Sequence, residues 1–169
     1  MADDLARLGA AALGARLRRL SATIDADAAR VYAEQGIRFE QRWFGVINKL
    51  ALDGPMSVGM LADALGITQP SVSQTRQSLV NAGLVRAAPD SADLRSRILA
   101  LSETGEDLVR QLRPMWDMFD EVARELDAEA GGVTEALAKL DEALARKSLH
   151  ARLMDRIAIG TTRAEPSES

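Results

Sequence analysis

The stretch Ser57–Leu84 constrains the fold of this chain most strongly, because its pattern is that of two short helices joined by a tight turn. In the first helix, apolar residues recur at helical spacing and Ser57 is placed to cap the N-terminus. Gly66 follows the last apolar position, where a left-handed residue is needed to end a helix. Thr68 is placed to cap the second helix, whose first turn accommodates Pro70 without losing a hydrogen bond. The sequence therefore predicts a compact pair of helices.

The second helix of this pair has one apolar and one polar face. Val72 and Leu79 are predicted to be buried, with Gly83 ending the helix. The residues on the opposite, outward face are Ser73, Gln74, Gln77 and Asn81. A glutamine amide can pair with adenine through two hydrogen bonds, so this face suits the reading of base edges in a major groove. An ordinary helical hairpin with a solvated polar face is the alternative.

A β-hairpin is predicted directly after the helix pair. Leu84–Ala87 and Ile98–Leu101 are short apolar runs that suit strands, and a turn-rich tip rises between them at residues 89–93. Arg95 and Arg97 follow that tip, where a guanidinium can enter a minor groove. A plain charged hairpin is the alternative, but helix, turn, helix and Arg-bearing hairpin in succession are more specific than any one part.

The stretch from Ser57 to Gly105 resembles the winged helix-turn-helix of the MarR family of bacterial transcriptional regulators. The matching runs are S-V-x-x-L-A-x-x-L-G-I-T-Q-P-S-V-S-Q, N-A-G-L-V, and D-x-R leading to L-x-L-S-x-x-G. Runs near both ends, including F-E-Q-R-W-F and L-R-P-M-W, resemble a subgroup often fused to an acetyltransferase domain. The resemblance implies a DNA-binding regulator, and this chain is expected to end before any such catalytic domain begins.

We expect a mainly α fold with a small β-hairpin wing, in which a winged helix-turn-helix is flanked by long N- and C-terminal dimerisation helices. The helical patterns cover residues 3–34, 42–52, a helix from Ser102 that contains Pro114, and Val133–Ile159. One winged unit has too little interior to bury the three long apolar stripes, so we expect a homodimer. The alternative is that these helices fold back onto their own domain. The expected divisions are an N-terminal dimerisation helix 1–36, the DNA-binding domain 37–102, C-terminal dimerisation helices 103–159 and a disordered tail 160–169.

Composition limits the function. The 169 residues carry a net charge of −4, yet residues 41–97 hold six basic and four acidic groups, whereas residues 98–169 hold nine and fifteen. With no cysteine and no long apolar run, we expect a cytoplasmic protein without disulfides, thiol-based sensing or a membrane segment. The single histidine, His150, has no catalytic or metal-binding pattern around it, so we expect no enzyme, no cofactor and no metal.

The residues expected to contact DNA fall into three groups. We assign base reading to Ser71, Ser73, Gln74 and Gln77, backbone contact to Thr68, Gln69 and Arg76, and wing contact to Arg95 and Arg97. Two positions depart from the family pattern. Arg76 stands where relatives commonly carry leucine, and Leu94 stands where the family often has a second wing arginine. The wing contribution then depends on Arg95, which could instead pair with Asp93.

By resemblance, MarR regulators often bind a small molecule between the dimer helices and the winged unit. The candidate residues here are Phe39, Arg42, Trp43, Phe44 and Trp116. Arg42 would favour an anionic aromatic effector, whereas the alternative is that these aromatic residues simply form the core.

The sequence thus predicts a homodimeric, sequence-specific regulator of double-stranded DNA that recognises a pseudo-palindromic operator and acts as a repressor. The alternative is a winged-helix scaffold for protein interactions with weak or no DNA binding. A third hypothesis, enzymatic activity as a remnant of an acetyltransferase fusion, would require a catalytic domain.

Overall fold

The computed structural model describes residues 7–89 and 97–162, except for the side chains of residues 89, 97 and 160–162. The described chain is mainly helical with one small antiparallel sheet, as predicted. It divides into two compact units at Leu112–Arg113, inside the helix Glu103–Glu129 (α5). None of the described helices is both long and apolar enough to cross a lipid bilayer.

The first unit begins with a 3₁₀ turn, Gly9–Ala12, followed by helix α1, Leu13–Glu34. The prediction of one uninterrupted helix from residue 3 to 34 is therefore wrong, because Gly9 takes a left-handed conformation (φ 56°) that regular helix does not allow. The predicted end is confirmed. Gly36 is left-handed (φ 68°), and the backbone N–H of Ile37 donates to the carbonyl of Tyr32 at 2.9 Å, which closes the helix.

The second predicted helix is confirmed as a 3₁₀ turn, Gln41–Trp43, that leads into α2, Phe44–Asp53. Val46, Ile47 and Leu50 of α2 are buried. They belong to a core whose largest fully buried side chains in this unit are Tyr32, Ile47, Leu61, Leu79, Leu99, Leu112, Val46 and Val72. This helix is central, as its nearly all-round apolar pattern predicted.

The predicted helix pair consists of α3, Val58–Leu65, and α4, Gln69–Asn81. The hydroxyl of Ser57 accepts a hydrogen bond from the backbone N–H of Met60 at 3.2 Å, and that of Thr68 accepts from Ser71 at 3.3 Å. Gly66 is left-handed (φ 64°) and ends α3. These local determinants therefore act as predicted.

The predicted hairpin is confirmed as β2, Val85–Pro89, paired antiparallel with β3, Arg97–Leu101. A two-residue strand that was not predicted, β1 (Met56–Ser57), pairs with the other edge of β3 in the order β1-β3-β2. Leu99 lies at the centre of this sheet and is completely buried. The predicted wing tip, including Asp93, Leu94 and Arg95, lies outside the described residues, as does the side chain of Arg97.

The second unit contains the rest of α5, then α6, Val133–Arg146, and α7, Leu149–Thr162. Pro114 lies inside α5, as predicted. The prediction of one helix over Val133–Ile159 is wrong. Lys147 is extended (φ −157°, ψ 116°), and the Ser148 hydroxyl accepts from the backbone N–H of Ala151 at 3.1 Å, so that a new helix begins.

The end of α7 also corrects the predicted tail. The helix includes residues 160–162, which the sequence analysis assigned to a disordered tail. The remaining predicted tail, residues 163–169, lies outside the described residues. The single histidine, His150, is exposed in the first turn of α7.

Candidate nucleic-acid interface

The orientation of α4 is fixed by its buried face. Val72 and Leu79 are fully buried, and Thr75, between them on the same face, is only 7% exposed. Since residues about half a turn away point in the opposite direction, this burial turns a polar face of α4 outward. The burial of Val72 and Leu79 was predicted from the sequence, whereas the burial of the polar Thr75 was not.

The candidate base-reading residues are mostly exposed. Ser71, Gln74 and Gln77 are exposed, whereas Ser73 is half-buried. The Ser71 hydroxyl forms a hydrogen bond of 2.9 Å with the hydroxyl of Thr68, so these two groups hold each other at the helix N-terminus. The N-terminal turn of α4 is thus ordered before any partner binds.

The candidate backbone contacts lie around this same face. Thr68 and Gln69 are exposed at the start of α4, and Arg76 is half-buried on its flank. Arg76 forms no ion pair or hydrogen bond with any residue that the structure describes. A half-buried arginine stem with an unpaired guanidinium suits contact with a phosphate beside the helix.

A polar junction that sequence reasoning missed joins α4 to the segment before α2. The Ser78 hydroxyl accepts hydrogen bonds from the Trp43 indole N–H at 3.0 Å and from the Arg42 guanidinium at 3.2 Å. It donates to the Glu40 carboxylate at 3.5 Å, and that carboxylate pairs with Arg42 at 2.6 Å. Ser78 therefore uses its donor and both acceptor positions to fix α4 against this segment. In the sequence, the signal that could have indicated this junction is a polar residue, Ser78, directly beside the buried Leu79.

Some basic residues between positions 37 and 89 form ion pairs or hydrogen bonds with described residues, and others do not. Lys49 pairs with Asp53 at 2.5 Å, and the Arg86 guanidinium donates to the Leu101 carbonyl at 3.3 Å. With Arg42 held by Glu40, only Arg38 and Arg76 in this range have no partner among the described residues. Among the described residues, the free positive charge near α4 is therefore small.

A cavity of about 590 Å³ lies beside α4 in the first unit. Its polar lining residues include Arg38, Glu40, Ser78, Asn81 and Asp107, and its apolar lining residues include Trp43, Leu84 and Leu108. Glu40 is paired with Arg42, and Asp107 with Arg110. The cation in the lining is thus Arg38, which the sequence analysis did not single out.

The five predicted effector residues share only Trp43 with this lining. Phe39 is buried between Tyr32 and Trp43, with ring centroids 4.8 and 5.8 Å away, and its effector role stays a prediction. Arg42 is engaged by Glu40 and Ser78.

The other two predicted effector residues are Phe44 and Trp116. Phe44 is half-buried at the start of α2. Trp116 is buried and belongs to the second unit, with the Arg113 guanidinium 5.6 Å from its ring centroid. In the part of the chain that is described, no three His, Cys, Asp or Glu side chains are placed to hold a metal ion.

The described chain has two helices joined by a tight turn, and a small antiparallel sheet follows them. The second helix has an outward polar face. This arrangement defines a winged helix-turn-helix protein. Comparison with known proteins agrees with this fold, since residues 39–96 match the MarR family model. The winged-helix part of the chain is therefore similar to the MarR family. The similarity to the acetyltransferase-fused subgroup is not tested by these matches and stays a prediction.

Individual relatives agree with this assignment. An uncharacterized HTH-type transcriptional regulator of Mycobacterium tuberculosis strain H37Rv is 33% identical over 81 residues, which is 48% of this chain. The match spans about half (51%) of that curated relative's length.

Two solved structures share the fold. The Staphylococcus aureus MepR–DNA complex has a TM-score of 0.64 at 20% identity, covering 78% of this chain and 97% of MepR. Bordetella bronchiseptica BpsR, whose DNA binding is regulated by 6-hydroxynicotinic acid, has a TM-score of 0.63 at 22% identity, covering 76% of this chain and 91% of BpsR.

Proposed function

We propose that this protein is a homodimeric, sequence-specific transcriptional regulator of double-stranded DNA that acts in the cytoplasm. The observation that carries the proposal is the outward polar face of α4, which is held in place by the buried Val72, Thr75 and Leu79 on its other side. A short helix anchored in this way and followed by a hairpin is the arrangement that places a recognition helix in a major groove. The MepR–DNA complex, which shares the fold, supports this interpretation.

The proposed contacts follow from position on this helix. Ser71, Ser73, Gln74 and Gln77 read base edges, while Thr68, Gln69 and Arg76 hold the phosphate backbone. Arg95 and Arg97 contact DNA from the wing. Among these base readers, Gln74 and Gln77 are best suited to the role, because both are exposed and each can form two hydrogen bonds with adenine.

Uncovered apolar side chains support the proposed dimer. On α1, the exposed large apolar residues are Leu13, Leu17, Leu20, Ile24 and Val31. In the second unit, α6 has no buried residue, although Leu137 and Leu144 recur on one face, and Leu149, Leu153 and Ile157 of α7 are exposed as well. Contiguous apolar faces of this kind are commonly covered by a partner. A second copy of the chain, clasped through the terminal helices, would cover them.

A dimer would also compensate for the small basic surplus near α4. Two recognition helices about one helical turn apart would contact the two halves of a pseudo-palindromic operator. If Arg76, Arg95 and Arg97 of each subunit neutralise phosphates, the logarithm of the binding constant falls with the logarithm of salt concentration at a slope of roughly −5. Occupying the operator in this way would exclude the transcription machinery, so we propose a repressor.

We further propose that a small molecule relieves this repression from the cavity beside α4. BpsR, which has the same fold and responds to 6-hydroxynicotinic acid, supports a small aromatic acid as its class. In this chain a carboxylate would meet Arg38, and a hydroxyl group on the ring would meet the Glu40 or Asp107 carboxylate, with the Trp43 indole at the wall. Such a ligand shifts DNA binding only by its difference in affinity for the DNA-bound and free dimers.

The test of the function is a selection of bound sites from a random DNA pool, followed by salt titrations on the selected and a scrambled duplex. We expect an enriched pseudo-palindrome, and binding to both duplexes that weakens steeply with salt. Absence of binding even at low salt would refute the regulator and favour the alternative, a winged-helix scaffold for protein partners. The Gln74→Ala variant is the matched control, since it keeps every basic residue.

A further inference from the structure

One side-chain contact on the exposed face of α4 links two polar residues one helical turn apart. The Gln77 side-chain amide donates through its Nε2 to the Oδ1 of Asn81 at 2.9 Å. Both side chains are exposed, so the contact is not imposed by burial. Residues at this spacing lie above one another on a helix, which lets the two amides meet without distortion.

This contact decides which atoms Gln77 presents outward. A glutamine amide has a carbonyl oxygen at one end and an NH₂ group at the other, similar in shape but opposite in polarity. The bond to Asn81 takes one of the two Nε2 hydrogens and leaves the other, together with the whole acceptor capacity of Oε1. A donor and an acceptor side by side, in a fixed order, are complementary to the N7 and N6 positions of adenine.

Asn81 itself stands on a rigid part of the chain. It is the last residue of α4, between the buried Leu79 and the left-handed Gly83. The backbone N–H of Leu84 donates to the Leu79 carbonyl at 3.0 Å, and the Ser78 junction anchors the same turn. The backbone that carries the acceptor for Gln77 is therefore held in place.

We propose that Asn81 is a specificity-determining positioning residue, which fixes the orientation of the Gln77 amide and so sets the base that Gln77 prefers. The inference rests on the proposed function, because it concerns base reading by α4. Asn81 acts through Gln77 and needs no contact with DNA. Without it, the amide can turn over, and a reversed donor and acceptor no longer discriminate in favour of adenine.

The experiment compares four proteins: the wild type, Asn81→Ala, Asn81→Asp and, as a matched control, Val80→Ala. Val80 is an exposed neighbour on the same helix whose alkyl side chain has no polar group to hold Gln77. Bound sites are selected from a random pool, and the base pair read by Gln77 is identified as the one whose preference is lost in Gln77→Ala. Duplexes differing at that base pair are then titrated with each variant.

For Asn81→Ala we expect the ratio of affinities between preferred and substituted base to fall about two- to tenfold, the range expected from freeing one rotamer-rich side chain at an interface. Asn81→Asp keeps an acceptor for Nε2, so the ratio should return towards the wild-type value. Its added negative charge should weaken binding to every duplex alike. Val80→Ala should leave the ratio unchanged.

The outcomes separate the inference from the function it rests on. A wild type that enriches no sequence would overturn both. A wild type that enriches an operator, with a base preference that Asn81→Ala leaves intact, would overturn the positioning role alone. The same holds if Asn81→Asp loses the preference as completely as Asn81→Ala. A contact that only stabilised the helix would change the unfolding midpoint and not the ratio, and circular dichroism checks that each variant is folded.

Discussion

Gly105 lies in the first turn of α5, where its backbone passes against the segment that follows the recognition helix. A Cβ added at this position would lie 2.0 Å from the carbonyl oxygen of Leu84 and 3.1 Å from its carbonyl carbon. Real Cβ contacts are essentially never closer than 3.0 Å. Because the atom in the way is backbone and not the end of a flexible side chain, Gly105→Ala must push the two segments apart by about 1 Å.

The cost of that displacement can be worked out from the contacts it breaks. The Leu84 carbonyl accepts the backbone N–H of Ser102 at 3.0 Å, and the Ser102 hydroxyl donates to the Gly83 carbonyl at 2.6 Å. Overpacking costs about 1–3 kcal/mol, and each lost hydrogen bond adds about 0.5–1.5 kcal/mol. The better helix propensity of alanine returns up to ~1 kcal/mol. We therefore expect Gly105→Ala to lower the free energy of unfolding by about 1–6 kcal/mol.

Urea unfolding followed by far-ultraviolet circular dichroism measures this change. Gly59→Ala is the matched control, since it is also a helical glycine but its added Cβ would meet only side-chain atoms, at 3.7 and 3.8 Å. That variant should be as stable as the wild type or up to ~1 kcal/mol more stable. A Gly105→Ala protein that unfolds at the wild-type urea concentration or above it would refute the argument from close approach.

Three further changes test other parts of the account. Ser78→Ala leaves the part-buried Trp43 indole N–H without its acceptor, so the free energy of unfolding should fall by about 1–3 kcal/mol; an unchanged urea midpoint would contradict the junction. Gln74→Ala should weaken binding to the selected operator by roughly 1–3 kcal/mol and to scrambled DNA much less, as measured by parallel titrations; equal losses would remove Gln74 from the base readers. The backbone N–H and hydroxyl of Thr134 donate to Asp127 and hold the pKa of that carboxyl below its ordinary value of 3.8. The stabilisation by this contact is therefore present above pH 3.8 and lost as the pH falls through the lowered pKa. The difference in thermal stability between the wild type and Asp127→Asn should shrink on acidification. A difference that stays constant would contradict a stabilising contact between Asp127 and Thr134.

Elements fixed by neighbouring residues could be predicted from the sequence. Ser57 and Thr68 cap their helices, and Gly66 and Gly36 end theirs, because each depends on one side chain or one glycine acting on its own turn. The burial of Val72 and Leu79 followed from helical periodicity alone. These features were enough to predict α4 and its buried face.

The features that were missed depend on distant partners or on competition between weak signals. Strand β1 has two residues and exists only because Met56 pairs with Leu99, more than forty positions away. The Ser78 junction likewise joins groups 35 to 38 positions apart. At Ser148 a capping signal was present, but the apolar stripe continued through it and suggested one helix.

The polar face of the candidate site could be predicted from the sequence, but the side-chain contacts that hold this face in place could not. Gln74 and Gln77 could be placed from the helical wheel, whereas the contact between Gln77 and Asn81 required side-chain geometry. The cavity beside α4 shows the same limit, because its lining comes from three separated segments, and its cation, Arg38, has no distinguishing pattern in the sequence. Periodicity says which residues share a face but not which faces meet.

The central claim is that two copies of this chain present their recognition helices to one duplex. The most direct measurement is the mass of the complex with the selected operator, determined by sedimentation at low salt. The account predicts two chains on each duplex, and weaker binding by the same two chains when half of the palindrome is scrambled. A single chain bound to the intact operator, or no complex with any duplex, would contradict it.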